Sequence, residues 1–114
     1  MGDPGANLVY VTVNGTNNVA IIQAATGAVT DSVSVSQPDG IAIDPNLHRV
    51  FVGTTYISGG LAVFENGPGG LGPARYLPTS TQPYDNPVRV AYNGANGKIY
   101  AVMPSFNHIT RLQF

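Results

Sequence analysis

The chain has 114 residues, of which 43% are hydrophobic and 10% are charged, with a formal net charge of −1. Its few basic residues are scattered, whereas phosphate binding needs clustered Lys and Arg side chains, so a nucleic-acid partner is not expected. Cysteine is absent, which excludes disulfide bonds and Cys-ligated metals or clusters.

The ends and surface of the chain bear on its location. The first residues, MGDPGANLVY, lack the basic and apolar regions of a signal peptide, and no apolar run approaches the ~18 residues of a membrane helix. We therefore expect no membrane span. The surface must depend on neutral polar residues for solubility, a composition common in secreted and cell-surface proteins, and we expect an extracytoplasmic location.

The hydrophobic pattern predicts short strands joined by turns. Apolar and polar residues alternate with a period close to two, and no segment keeps a helical period. Segments rich in Asn, Gly and Pro separate the strands and tolerate the backbone angles of tight turns. The predicted strands lie at approximately 8–13, 18–23, 29–35, 40–44, 49–54, 60–65, 74–78, 88–93, 98–103 and 108–113.

The strand pattern repeats along the chain. NLVYVTV matches HRVFVGT and GKIYAVM, which aligns Tyr10 with Phe51 and Tyr100 and predicts that these aromatic residues lie in the core. A repeat of about 40–50 residues with four strands has the period of a β-propeller blade. The first copy is expected to keep only the turn that precedes its second strand, and GPGGLG (67–72) is interpreted as a linker.

These repeats resemble a known family. VYVTVNGTNNVAIIQAATGAV resembles the YVTN-type β-propeller repeat, and the later part of the chain is similar to NHL-like and lactonase-like propeller repeats. The resemblance implies an all-β fold of four-stranded antiparallel blades in an incomplete ring. We expect a single partial propeller domain over 1–114, with blade parts at approximately 1–36, 37–85 and 86–114.

The number of repeats is too small for a closed ring. Four or more blades need roughly 160 residues. Incomplete blades leave unpaired strand edges and apolar faces, which favour pairing with other protein. The expected partners are therefore other protein chains, in a homo-oligomer, or the remainder of a longer propeller.

The resemblance also implies where a ligand would bind. In similar propellers, ligands bind on the rim that carries the turns between the second and third strands and the crossovers between blades. Asp39, Asp85, Asn86 and Asn18 could hold a divalent cation there, or the two aspartates could cap turns. The rim aromatics could stack on a ligand or cover blade interfaces, and His108 could bind a metal or haem or simply begin a strand. The candidates on this rim are Gln37, Asp39, Tyr56, Tyr84, Asp85, Asn86, Phe106, Asn107 and His108.

Motifs for specific chemistry are missing from the sequence. It contains no nucleophile elbow, phosphate loop or dinucleotide fingerprint, so no catalytic residue, metal or cofactor is assigned. The expected function is a non-enzymatic module for protein assembly or ligand binding. The alternatives are a fragment of a lactonase-like, metal-dependent hydrolase and a redox or haem propeller. Asn14-Gly15-Thr16 matches a glycosylation sequon, and the same residues suit a hairpin turn.

Overall fold

Short antiparallel strands make up the architecture of the chain, so the all-β prediction is confirmed. The computed structural model describes residues 2–3, 7–54, 61–67, 70–77, 89–103 and 108–113. Within these ranges the helical structure is a single 3-10 turn at Asn14–Thr16. In this described part of the chain, no helix is long and apolar enough to cross a membrane.

The strands form three antiparallel sheets that follow one another along the chain. The N-terminal sheet contains, in spatial order, β1 (Gly2–Asp3), β2 (Leu8–Val13), β3 (Asn18–Gln23) and β4 (Val29–Ser34). The middle sheet contains β5 (Pro38–Asp44), β6 (Arg49–Thr54) and β7 (Leu61–Gly67), and both β8 (Gly70–Leu71) and β9 (Arg75–Leu77) pair with β7. The C-terminal sheet contains β10 (Arg89–Asn93), β11 (Lys98–Met103) and β12 (His108–Gln113).

Two strands differ from the sequence prediction. The expectation that only a turn precedes β2 is wrong, because Gly2 and Asp3 form β1 and pair with β2. β8 pairs with the end of β7 and forms a small hairpin inside the Gly-rich segment that we interpreted as a linker. Each of these strands is two residues long, which is too short for an alternating pattern to reveal.

The described parts of the turns between the first two strands of each sheet share a feature of backbone geometry. In the middle and C-terminal sheets its first residue is an aspartate or asparagine whose Oδ1 accepts a backbone N–H two residues later, as in Asx turns. A left-handed residue then precedes the second strand. The three left-handed residues are Asn7 (φ 56°), His48 (φ 51°) and Gly97 (φ 70°). The repeat in the sequence is therefore also a repeat in backbone conformation.

Replacing Gly97 by alanine is expected to lower the free energy of unfolding by about 1 kcal/mol, because a Cβ atom disfavours the left-handed backbone. The added Cβ would meet no atom within 4 Å, so the substitution tests the backbone alone. Gly15 is the matched control, since its Cβ position is equally open and its backbone is not left-handed. Urea denaturation measures both variants, and equal midpoints for G97A and G15A would contradict the prediction.

The three sheets stack face to face through apolar side chains. We call the face that each sheet directs toward the next sheet along the chain its forward face, and the opposite face its backward face. The forward face of the N-terminal sheet packs on the backward face of the middle sheet, whose own forward face packs on the C-terminal sheet. The buried residues of the first interface are Tyr10, Val19, Ile21, Val33, Val35, Ile43, Val50, Val52, Ala62 and Phe64, and those of the second are Phe51, Leu61, Val63 and Ile99.

The aromatic residues at equivalent strand positions differ in burial. Tyr10 and Phe51 are fully buried, as predicted, and the Tyr10 ring meets the Phe64 ring edge-on with centroids 6.0 Å apart. The Tyr10 hydroxyl also accepts a hydrogen bond from Asn66 Nδ2 at 3.1 Å. Tyr100 is only half-buried, because none of the described strands covers the forward face of the C-terminal sheet.

Candidate functional site

The part of the predicted ligand-binding rim that the structure describes is the corner between the N-terminal and middle sheets. Here the hairpin between β2 and β3 meets the crossover from β4 to β5. The Asn17 carbonyl accepts a hydrogen bond from the Val35 N–H, and Asn17 Oδ1 accepts one from the Gln37 N–H, each at 3.1 Å. One asparagine therefore holds the crossover at two points.

Gln37 turns the chain from one sheet into the next. Its backbone is left-handed, with φ of 49°, which costs a residue with a Cβ atom roughly 1–2 kcal/mol. It also precedes Pro38, and a residue before proline favours an extended backbone. A strained backbone of this kind persists where neighbouring groups fix it. Here the hydrogen bond to Asn17 and the burial of Pro38 fix the backbone of Gln37.

Asp39 lies inside β5 and not in a turn, so the turn-capping interpretation is wrong for this residue. It is half-buried beside a shift in strand register between Pro38 and Ile41. The crossover has a further contact, in which the Ser36 N–H donates to the Tyr76 hydroxyl of β9 at 3.0 Å. Gln37 therefore lies on a crossover that both neighbouring sheets hold in place, and Asp39 follows it near the start of β5.

The other predicted rim residues are described less fully. Tyr56, Tyr84, Asp85, Asn86, Phe106 and Asn107 lie outside the described residues. His108 begins β12, and its backbone pairs with Met103. Within the ranges that the structure describes, no three His, Cys, Asp or Glu side chains are grouped so that they could hold a metal ion. The roles of these rim residues stay predictions.

Asp44 forms a polar contact between the middle and C-terminal sheets that the sequence did not predict. Its carboxylate is 7% exposed and accepts the Asn46 N–H at 3.0 Å. The Tyr92 hydroxyl of β10 interacts electrostatically with this carboxylate. Burial raises the pKa of Tyr92 above its usual value of 10.0, and the Asp44 carboxylate raises this pKa further. The sequence showed Asp44 as a turn residue but contained no signal for its distant partner.

Because of Tyr92, the free energy of unfolding is expected to fall at alkaline pH. Because the pKa of Tyr92 is higher in the folded chain than in the unfolded chain, its contribution is full below pH 10.0 and is lost as the pH rises through the folded pKa. The difference in urea midpoint between the wild type and Tyr92→Phe should therefore shrink from pH 8 to pH 11. Asp44→Asn serves as the companion variant and should weaken the same pH dependence. A difference that is constant over this pH range would contradict the assignment.

Two arginines on the middle sheet share one glutamate as their ion-pair partner. Glu65 Oε1 lies 3.4 Å from Arg75 Nη1 and 3.7 Å from Arg49 Nη2. Glu65 and Arg75 are substantially exposed, so each pair contributes little to stability, at most about 1 kcal/mol. These ion pairs lie at the surface of the sheet and affect its local charge more than its stability.

An open groove of about 440 Å³ separates β4 from the segment that links β8 to β9. It was not predicted, because its two walls come from different sheets. Its polar groups are the hydroxyls of Ser32 and Ser34 and the backbone of residues 71–74. Its lining contains no titratable side chain, which restricts it to hydrogen bonding and apolar contact.

The backward face of the N-terminal sheet is apolar and open. Its central residue, Val11, is 40% exposed. The strand registers match this face to the backward face of the middle sheet, where the equivalent side chains are fully buried under the N-terminal sheet. Val9, Val11, Ala20 and Ile22 correspond in this order to the buried residues Val50, Val52, Ala62 and Phe64. Val11 is exposed and the other three residues of this face are half-buried.

Comparison with known proteins supports the fold. No protein-family model matches the chain, and no curated protein matches its sequence. Among solved structures, the chain is similar to a chain described as Kuenenia stuttgartiensis hydrazine synthase, with a TM-score of 0.68 over 87% of the present chain and 18% sequence identity. The present chain spans 26% of that chain. At this level of identity the similarity is one of fold.

Proposed function

We propose that the chain is a non-enzymatic β-propeller repeat module that acts in protein assembly or ligand binding. In this proposal each sheet is a blade of the YVTN/NHL-like type, and the ring is completed by other copies or by the rest of a longer chain. The location we propose is extracytoplasmic, on the ground that so few charged residues cover the chain.

The repeated geometry supports this proposal. In all three sheets a left-handed residue precedes the second strand. At both interfaces the forward face of one sheet packs on the backward face of the next. Sheets stacked in this way bury apolar surface only against their neighbours, so a terminal sheet keeps one face open. The structural neighbour is similar to the present chain over 26% of its own length, which agrees with a module that is part of a larger whole.

The observation that carries the proposal is the open backward face of the N-terminal sheet. It presents aliphatic side chains at the positions where the middle sheet is fully covered. Burying apolar surface contributes roughly 25 cal/mol per Å². An aliphatic sheet face of this kind is therefore a favourable surface for other protein.

A rim ligand would lie at the crossover of residues 35–39. Its two-sided support, by Asn17 and by Tyr76, keeps Gln37 and Asp39 in a defined position. A rigid framework that positions polar side chains is the usual basis of a binding loop. The chemistry available there is a carboxylate and an amide, which suits hydrogen bonding to a neutral or cationic group.

The experiment combines sedimentation velocity with urea unfolding and amide hydrogen exchange of the purified chain. We expect either a mass above that of the monomer or a marginally stable monomer in which the N-terminal sheet exchanges its amides before the middle sheet. The middle sheet is covered on both faces and provides the internal control. A monomer that unfolds cooperatively with all three sheets equally protected would contradict an incomplete module.

A further inference from the structure

Four Asn-Gly pairs occur in the chain, at 14–15, 66–67, 93–94 and 96–97. Asparagine is among the chemically labile residues of proteins. Glycine has no side chain to shield its backbone nitrogen, so that nitrogen can attack the carboxamide of a preceding asparagine. Hydrogen bonds that engage the carboxamide or the glycine N–H decide whether it does. The side chain of Asn14 lies outside the described residues, and the other three pairs can be compared.

Hydrogen bonds hold the pair at 96–97 on both sides of the reaction. Asn96 Oδ1 accepts the Lys98 N–H at 3.0 Å, and Asn96 Nδ2 donates to the Tyr100 hydroxyl at 3.2 Å. The Gly97 N–H donates to the Asn93 carbonyl at 2.8 Å. The nitrogen that would attack Asn96 is therefore already engaged, and the carboxamide of Asn96 is fixed.

The pair at 66–67 is held by the small hairpin of β7 and β8. Asn66 is half-buried, and its Nδ2 donates to the Tyr10 hydroxyl at 3.1 Å. Gly67 pairs with Gly70 in the same hairpin. Attack on Asn66 would require this hairpin to open and the contact with Tyr10 to break.

The pair at 93–94 combines an open nitrogen with a positioned carboxamide. Both residues are exposed where β10 ends, and the Gly94 N–H forms no hydrogen bond with any described residue. Asn93 Oδ1 accepts the Ala95 N–H at 2.9 Å, which folds the carboxamide back over the Gly94 peptide. This N–H also donates to the oxygen on which negative charge develops when a nitrogen adds to the carboxamide carbon.

We propose that Asn93 is a site of spontaneous deamidation, in which the Gly94 nitrogen attacks the Asn93 carboxamide and water completes its conversion to aspartate or isoaspartate. The Gly94 nitrogen gives its proton to solvent and forms a bond to Asn93 Cγ. The Cγ–Nδ2 bond then breaks, and Nδ2 takes a proton from solvent and leaves as ammonia. Water adds to one carbonyl carbon of the cyclic imide, and the bond from that carbon to the Gly94 nitrogen breaks. This inference is independent of the proposed function.

The two products differ in their effect on the C-terminal sheet. Asn93 is the cross-strand partner of Lys98, and the equivalent pair in the middle sheet is Asp44 and Arg49. Ring opening at Cγ gives aspartate, which keeps the turn and places a carboxylate opposite Lys98. Opening at the main-chain carbonyl gives isoaspartate, in which the main chain runs through Cβ and Cγ. The lengthened main chain disturbs the turn in which the Asn93 carbonyl accepts the Gly97 N–H.

The test follows the purified wild type during incubation at neutral and mildly alkaline pH, by isoelectric focusing and by mass spectrometry of its peptides. We expect an acidic species that is one charge unit more negative than the formal net charge of −1, with the new acid at residue 93. Asn66 and Asn96 in the same molecules are the internal controls and should remain amides while Asn93 reacts. In urea, where these hydrogen bonds are lost, Asn96 should react as fast as Asn93.

Gly94→Ala is the matched variant. Its Cβ would lie 3.8 Å from Tyr92 Cε2, which is an ordinary contact, and the Gly94 backbone is not left-handed. The variant should therefore fold like the wild type, as circular dichroism and urea unfolding can verify. Its methyl group shields the attacking nitrogen and should slow the reaction at residue 93 about tenfold. Asn93→Asp supplies one product directly and should focus with the acidic species.

An amide that persists at residue 93 of the folded chain, while the chain in urea deamidates, would overturn the proposal. Equal rates at Asn93 and Asn96 in the folded chain would also overturn it, since the hydrogen bond of Gly97 would then give no protection. An unchanged rate in folded Gly94→Ala would exclude attack by the Gly94 nitrogen. These results concern one side chain and are distinct from failure of the proposed function, which is a cooperatively unfolding monomer with all three sheets protected.

Discussion

Replacing Phe64 by alanine is expected to lower the free energy of unfolding by about 3–5 kcal/mol. Phe64 is fully buried where the N-terminal and middle sheets meet, and its ring contacts the ring of Tyr10. The substitution removes this contact and leaves a cavity between two sheets. Since small domains are stable by about 5–15 kcal/mol, such a loss brings the chain close to unfolding.

Urea denaturation followed by circular dichroism measures the effect. The control is Val29→Ala, which also truncates an apolar side chain in a strand but at a position that is 65% exposed. Its free energy of unfolding should stay within about 0.5 kcal/mol of the wild type. A Phe64→Ala variant as stable as Val29→Ala would mean that the first two sheets do not share a core.

Replacing Val63 by arginine should have a comparable effect at the second interface. Val63 is fully buried between the middle and C-terminal sheets, and an arginine at this position would bury an unpaired charge at a cost of several kcal/mol. Val63 occupies the same position in the middle sheet as Arg111 in the C-terminal sheet, where the arginine is exposed. The variant therefore places an arginine at this position beneath a covering sheet. We expect the C-terminal sheet to separate from the middle sheet or the chain to unfold.

Amide hydrogen exchange distinguishes these two results, because separation exposes β10–β12 while leaving the first interface protected. Ser32→Arg adds the same charge to an exposed strand position and is expected to change the stability by less than about 0.5 kcal/mol. Wild-type protection of β10 and β11 in the Val63→Arg variant would show that this face is not covered.

The chemistry of the rim was only partly predictable from the sequence. Gln37 and Asp39 were predicted as rim residues because of their position between repeats; Gln37 lies on the crossover and Asp39 in β5. Neither the left-handed backbone of Gln37 nor its support by Asn17 has a sequence signature, because both depend on a hairpin from another part of the chain. The pair of Asp44 and Tyr92 escaped prediction for the same reason.

The sequence by itself determined the strands, their turns and the repeat. Alternation of apolar and polar residues is a local property, and so is the need for Asn, Asp, Pro or Gly at positions such as Gly97. These features predicted the antiparallel strands closely, apart from the two-residue pairs of β1 and β8.

Only the tertiary structure decided which faces are covered. Alternation shows that Tyr10 and Ile21 can share a face, but it does not show which sheet packs on that face. The equivalent residues Val11 and Val52 are both aliphatic, yet one is open and the other is buried, because burial depends on a neighbouring sheet far away in the sequence. The distinct character of Arg111 likewise becomes apparent only when the three stacked sheets are compared position by position.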